Sequence, residues 1–162
     1  MPAKIRPFSD TDLDAVLDIA VAAWTPIFAS FLSILGPRVF ESLHPEWQAD
    51  KRSQVAEACA GKHGASVCVA VADGIVVGFI SYYLDRPPGV GEVGNNAVHP
   101  DHQGKGIGPM MYEHVLAQMK QAGMKCAMVT TGGDASHAPA RRAYEKVGFA
   151  RPLPMVNYHK EL

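Results

Sequence analysis

Between His99 and Pro109 the chain reads His-Pro-Asp-His-Gln-Gly-Lys-Gly-Ile-Gly-Pro, with an apolar run before it and a helical pattern after it. Glycines at 104, 106 and 108, between a strand and a helix N-terminus, make an anion site, because backbone without side chains leaves several N–H groups aimed at one place. The spacing narrows the choice of anion. A P-loop needs Ser or Thr directly after its lysine, and Gly106 follows Lys105. A dinucleotide turn needs glycine at position 109, which is Pro109. What stands is Gln-x-x-Gly-x-Gly, on Gln103, Gly106 and Gly108, behind a strand ending Val98-His99-Pro100.

Other reactive side chains are dispersed. Cys59, Cys68 and Cys126 have no metal-ligand spacing and are odd in number, which points to reduced, packed thiols in a cytoplasmic protein. Cys126 reads as packed because its neighbours are apolar. His99, His102 and His114 lack a carboxylate or cysteine that would complete a ligand set, so no metal is expected. Asn95 and Asn96 are two amides inside an apolar strand. They need partners, and serve either an acceptor or water, or the strand's own irregular backbone. Trp24, Phe28 and Phe31 read either as core or as the wall of a pocket, to which Tyr82 and Tyr83 could add.

These groups must be positioned by a single domain over residues 1–162. With 48 % apolar residues and a formal net charge of -1, the chain shows no electrostatic footprint for nucleic acid. No apolar run looks long enough to span a bilayer, so no membrane partner is expected. Lys4 to Phe8 predicts an edge strand. Leu13, Val16, Leu17, Ala20 and Val21 predict a helix to about Ala23, ended by Trp24-Thr25-Pro26. Ile27 to Leu35 and Arg38 to Ala60 are again helical, with a break near His44-Pro45. Strands at 66–71 and 75–84 flank an Asp73-Gly74 hairpin turn. Val90 to Val98 is a third strand of this region, where Gly91 and Gly94 signal a bulge or a close approach. A helix opening near Pro109, a strand at 124–131, a helix at 138–147 and a last strand within 155–160 complete the order. The fold class is therefore α/β (α+β). It has a mixed, mostly antiparallel sheet, a central parallel β-α-β unit and helices on both faces.

The glycine turn resembles the acyl-CoA-binding motif of the GCN5-related N-acetyltransferase (GNAT) superfamily. A second motif agrees: His137-Ala138-Pro139-Ala140, then Tyr144, then Gly148-Phe149, spaced as in that family's late Asn-x-x-Ala, Tyr and Gly-Phe. The opening Ile5-Arg6-Pro7 with Asp12-Leu13 is also similar. The resemblance implies transfer of acetyl from acetyl-CoA to a small-molecule or peptide amine, with no metal. It implies that Gln103, Gly104, Lys105, Gly106, Ile107 and Gly108 hold the CoA pyrophosphate, and that Ala97, Val98 and His99 offer backbone groups to the pantetheine arm. His137 stands where the family usually has Asn and is expected at the cofactor. Tyr144 matches the family's proton donor to the leaving thiolate, with packing under the last strand as the alternative. Glu92, eleven positions before Gln103, has the register of a catalytic glutamate in one branch, against a solvated strand-end glutamate. Pro109 removes one phosphate donor. A non-catalytic acyl-CoA-binding regulatory domain is the rival reading, and a homodimer is left open.

Overall fold

A computed structural model describes residues 3–162. Its five strands lie in chain order across one sheet: β1 (Lys4–Pro7), β2 (Ser66–Ala72), β3 (Ile75–Tyr83), β4 (Val90–Val98) and β5 (Cys126–Val129). Neighbours are antiparallel except β4 and β5, which are parallel and joined through helix α4 (Ile107–Gln121). Helices α1 (Leu13–Leu35), α2 (Pro37–Leu43) and α3 (Trp47–Cys59) fill the connection from β1 to β2, and α5 (Ala138–Lys146) follows β5. The mixed α/β class and the mostly antiparallel sheet are as the sequence led us to expect.

Alternation along the strands divides the core between two faces. On one face Val16, Ile19 and Ala20 of α1 and Val55 of α3 bury against Val69, Phe79 and Ala97. On the other, Ile107, Met111, Val115 and Met119 of α4 and Tyr144 of α5 bury against Cys68, Ala70, Val77, Ile80 and Val93. The Asp73-Gly74 turn takes positive φ at both residues (49° and 83°), the conformation that matches strand twist in a two-residue hairpin.

Five expectations are corrected. Pro26 does not end the first helix, which continues to Leu35. Its ring is exposed, and the turn before it is tied by the Thr25 hydroxyl donating to the Val21 carbonyl at 2.8 Å. Because α1 is continuous, Asp10–Leu35 is long and apolar enough to cross a membrane by length and composition. The face carrying Val16, Ile19 and Ala20 is nevertheless packed on the sheet. Pro109 is the third residue of α4 rather than an opening residue. Residues 155–160 form no strand: the segment from Arg151 is exposed and without regular structure, and Arg38 of α2 pairs with Glu161. The far edge of β5 therefore lacks a sixth strand, and Cys126 is exposed instead of packed.

The start of α1 is fixed by an ion pair. Arg6 of β1 donates to both carboxylate oxygens of Asp12 at 2.7 and 2.8 Å, and the Ser9 N–H donates to Asp12 at 2.9 Å. The Arg6 hydrogen bonds hold the buried Asp12 carboxyl below the usual carboxylate range. Folding stability from this group is present above the unfolded pKa and is lost as pH falls through the depressed folded value. Asp12→Ala is expected to cost about 2 kcal/mol at neutral pH, in line with loss of charged hydrogen bonds. Urea unfolding should show this difference fading below about pH 4.

Candidate active site

The site begins with a steric constraint on β4. A Cβ at Gly94 would lie 2.5 Å from the Ser81 hydroxyl oxygen and 2.9 Å from the Tyr83 ring, so only glycine fits there. A Cβ at Gly91 would run into the Met119 sulfur. Opposite Gly94 the β3–β4 register slips, because Ile80 pairs Asn96 while Tyr82 pairs Val93. Two residues, Gly94 and Asn95, thus face the single Ser81, which makes a β-bulge. The buried Ser81 hydroxyl donates to the Asn95 carbonyl at 3.1 Å and satisfies a group the ladder leaves out.

Just where the bulge begins, β4 parts from β5. Their parallel pairing runs from Val90–Cys126 to Val93–Val129 and stops. Beyond it, residues 94–98 have no strand on that side. The His99 N–H donates to Val77 O at 2.8 Å. In an antiparallel ladder such bonded pairs alternate with unbonded ones. Ala97, opposite Phe79, therefore also turns its backbone groups to β3, while those of Asn96 and Val98 face the gap. Of the three residues expected to offer backbone groups there, Val98 keeps them on the open side. Its carbonyl accepts from the Gln103 amide at 3.1 Å.

At the end of β4 lies the glycine turn. Gly104 (φ 74°) and Gly106 (φ 79°) adopt left-handed backbone, and beyond their chain neighbours no atom lies within 4 Å of where their Cβ atoms would be. That leaves open space, free of side chains, at both positions. Gly106 caps α4, and the first intrahelical bond of that end is Met110 N–H to Gly106 O at 3.2 Å. The N–H groups of Ile107 and Gly108 precede it and have no partner within their helix, and Pro109 has none to give. These donors, at the positive end of a fifteen-residue helix, fit a pyrophosphate. Lys105 is exposed and bends back to donate to the Asp101 carbonyl at 3.0 Å. His99 accepts from the Asp101 N–H and lies 6.0 Å from the His102 ring; no group of His, Cys, Asp or Glu among the described residues could hold a metal.

Two faces of the gap carry different chemistry. On the α4–α5 side the Asn96 amide links two tyrosines: Tyr112 donates to its oxygen at 2.8 Å, and its nitrogen donates to the Tyr144 oxygen at 3.2 Å and to Gly94 O at 3.0 Å. The rings of Tyr112 and Tyr144 lie 4.9 Å apart. Burial pushes both phenols up, so each keeps its proton at neutral pH. Tyr112 was not singled out from the sequence; it sits on the apolar stripe of α4 and reads there as core. Of the two roles foreseen for Asn96, its bond to Gly94 O meets the needs of the strand's own irregular backbone, and its other bonds go to the two tyrosines.

The opposite side is formed by α1, α2, α3 and the loop after β5. Glu92, between Gly91 and Val93 that face α4, points to this side, half-buried and without a side-chain hydrogen bond among the described residues. Asn95 accepts from Lys51 of α3 at 3.2 Å. Phe28 stacks on Trp47 (4.3 Å between centroids) and meets Phe31, Phe40 and His44 edge-on, so Phe28 and Phe31 belong to a half-buried wall outside the core, whereas Trp24 packs against the α1–α3 core. Tyr82 does not join the wall, because it packs with the α4 core. His137 closes the site at the start of α5. Its Nδ1 is 2.6 Å from the Asp134 carboxylate, and its ring lies over Phe31. Asp134 also accepts from the Ser136 N–H and hydroxyl, and Arg141 donates to the carbonyls of Gly132 (2.6 Å) and Asp134 (2.8 Å). A Cβ at Gly132 would strike His137 and Asp134, so that glycine is what lets the pair seat.

Residues 28–149 match the model of the acetyltransferase (GNAT) family. The chain is 33 % identical over 119 residues to a mycothiol acetyltransferase of Thermomonospora curvata, covering 71 % of this chain and 38 % of the relative. It is 28 % identical over 71 residues to the uncharacterized N-acetyltransferase YsnE of Bacillus subtilis (strain 168), covering 44 % and 47 %. The chain thus spans less than half the length of these two relatives. In fold it is similar to the PaiA N-acetyltransferase of Thermoplasma acidophilum, crystallised with coenzyme A, with TM-score 0.73, 21 % identity and coverage of 93 % and 91 %.

Gly94→Ala tests the constraint from which the site is built. The added methyl must displace Ser81 or Tyr83, which should cost about 1–3 kcal/mol in a thermal or urea melt. Coenzyme A binding by calorimetry should weaken at least about tenfold, because closing the bulge moves Asn96 and Val98 out of register.

Proposed function

Because the chain belongs to the GNAT acetyltransferase family, we propose that it moves the acetyl group of acetyl-CoA directly onto a primary amine. The observation that carries the reading is the gap between β4 and β5, open beyond Val93 and lined by a proton-bearing tyrosine on one side and a carboxylate on the other. The donors from Gln103 to Gly108 would hold the pyrophosphate, and the outward backbone of Asn96 and Val98 the amides of the pantetheine arm. Bound acetyl-CoA supplies an activated thioester carbon.

The chain's own groups divide the proton work. The amine nitrogen bonds to the thioester carbon as the carbon–sulfur bond breaks. Glu92, on the α1–α3 side, takes the proton the amine loses. Tyr144, on the α4–α5 side, gives its proton to the departing sulfur. Asn96 aims the Tyr144 hydroxyl by donating to its oxygen, and Tyr112 fixes which way the Asn96 amide faces. His137 is a second reading for the base. Its bond to Asp134 at 2.6 Å sets one ring nitrogen and leaves the other to accept a proton.

Release of free thiol across an amine panel tests the reaction. Tyr144→Phe should lower kcat about 100-fold while leaving acetyl-CoA binding unchanged; an unaltered kcat refutes the role. Thiol release with no amine of the panel, despite tight acetyl-CoA binding, would instead make the chain a binding domain. Glu92→Gln should cost about 100-fold in kcat/KM, with His137→Asn costing far less. The reverse ranking assigns the base to His137.

A further inference from the structure

Helix α3 carries a lysine where its pattern calls for an apolar residue. Lys51, Val55 and Ala58 share the stripe that faces the sheet, and Val55 and Ala58 are buried. The next residue, Arg52, turns outward and pairs with Asp18, whereas Lys51 turns inward. Its ammonium sits 4.4 Å from the centroid of Trp24, donates to the Gln54 amide oxygen at 2.7 Å and to the Asn95 amide oxygen at 3.2 Å. All three partners are neutral, and Lys51 is in no ion pair among the described residues. Removal from water lowers its pKa to about 8.

A cation drawn out of solvent without a counter-charge is unfavourable unless something else provides that charge. Its position says what could. Asn95 belongs to the bulge, at the first residues of β4 freed from β5, so Lys51 stands beside the place where an amine would meet the thioester. An ammonium has three donors, and two are committed to Gln54 and Asn95. One donor is left for a singly charged oxygen ligand. Trp24 and Phe28 on α1, and Trp47 and Lys51 on α3, are two i, i+4 pairs facing each other across the Phe28–Trp47 stack, so the cation stands at the rim of an aromatic wall.

We propose that the acceptor is an amine that also carries a carboxylate, and that Lys51 binds that carboxylate at the rim of the Trp24–Phe28–Trp47 wall. This rests on the transferase reading above. The amine and carboxylate must be only a few bonds apart, as in an amino acid, since Lys51 holds to Asn95, which is itself at the open edge of β4 where the amine is to react.

The test is a set of matched acceptors: glycine with glycinamide, alanine with alaninamide and phenylalanine with phenylalaninamide. Each amide has the less basic amine and carries more of it in the unprotonated, reactive form near neutral pH, so a preference for the acid reports recognition. The wild-type chain should favour at least one acid over its amide by about tenfold or more in kcat/KM. Lys51→Met, which keeps an unbranched side chain over Trp24 but removes the charge, should bring that ratio close to one through KM. Lys51→Arg should restore part of it. Amides used as well as acids by the wild type, or a ratio unmoved by Lys51→Met, overturns the proposal. If no amine releases thiol, the transferase reading fails on its own, and the carboxylate site is still decided by binding. N-acetylphenylalanine should then raise the melting temperature of the coenzyme A complex, its carboxamide should not, and Lys51→Met should abolish the difference. Equal shifts for the two compounds reject the site.

Discussion

One contact between strands governs the rest of the molecule: the close approach of Ser81 to β4 at Gly94. With no side chain at 94, β3 can press against β4 and force two residues to oppose one. The bulge twists β4 away from β5 after Val93, and the sheet opens where its two parallel strands would otherwise pair. It also changes which way the next residues point. Asn95 goes to the α3 side and meets Lys51, and Asn96 goes to the α4–α5 side and meets Tyr112 and Tyr144. An extra residue at this point thus creates the gap and populates both of its walls.

The two walls are also supported differently. The tyrosine side is backed by the densest part of the core, with Met111, Val115 and Met119 fully buried beneath it. Its hydroxyls are held by one amide whose oxygen and nitrogen are both used. The aromatic side is half-buried and built from the C-terminal half of α1, the end of α2 and the start of α3, with Phe28, Phe31, His44 and Trp47 packed on each other. A rigid wall suits the constant part of the reaction. A wall of rings outside both core clusters can vary with less disturbance of the sheet.

Much of this was legible in the chain. The alternating strands, the Asp73-Gly74 turn and the Gly-rich turn each rest on local backbone requirements, and local requirements show in sequence. Gly91 and Gly94 announced an irregular strand for the steric reason found. The failures concern partners. Pro26 reads as a helix end because a proline lacks a donor, but Val16, Ile19 and Ala20 before it and Phe28 and Phe31 after it are packed, and α1 runs through. Residues 155–160 have an alternating pattern, yet alternation cannot supply the neighbour a strand needs, and the β5 edge and Cys126 stay uncovered. Tyr112 and Lys51 carry no local signal, because a tyrosine on an apolar stripe and a lysine on a polar helix are ordinary in sequence and are distinguished only by their contacts with β4. The backbone assignment at Ala97 and His99 missed by one residue, because which groups of a strand face outward depends on register with β3.

The central claim is that the opened edge of β4 and the glycine turn beside it together hold coenzyme A. Amide NMR of the whole chain titrated with coenzyme A reads this directly. The account predicts large, saturable shifts at the N–H groups of Asn96, Val98 and Gly104 through Gly108, with Ala97 and His99 changed much less because their N–H groups face β3. Saturable binding that leaves Asn96, Val98 and the glycine turn unshifted would contradict it.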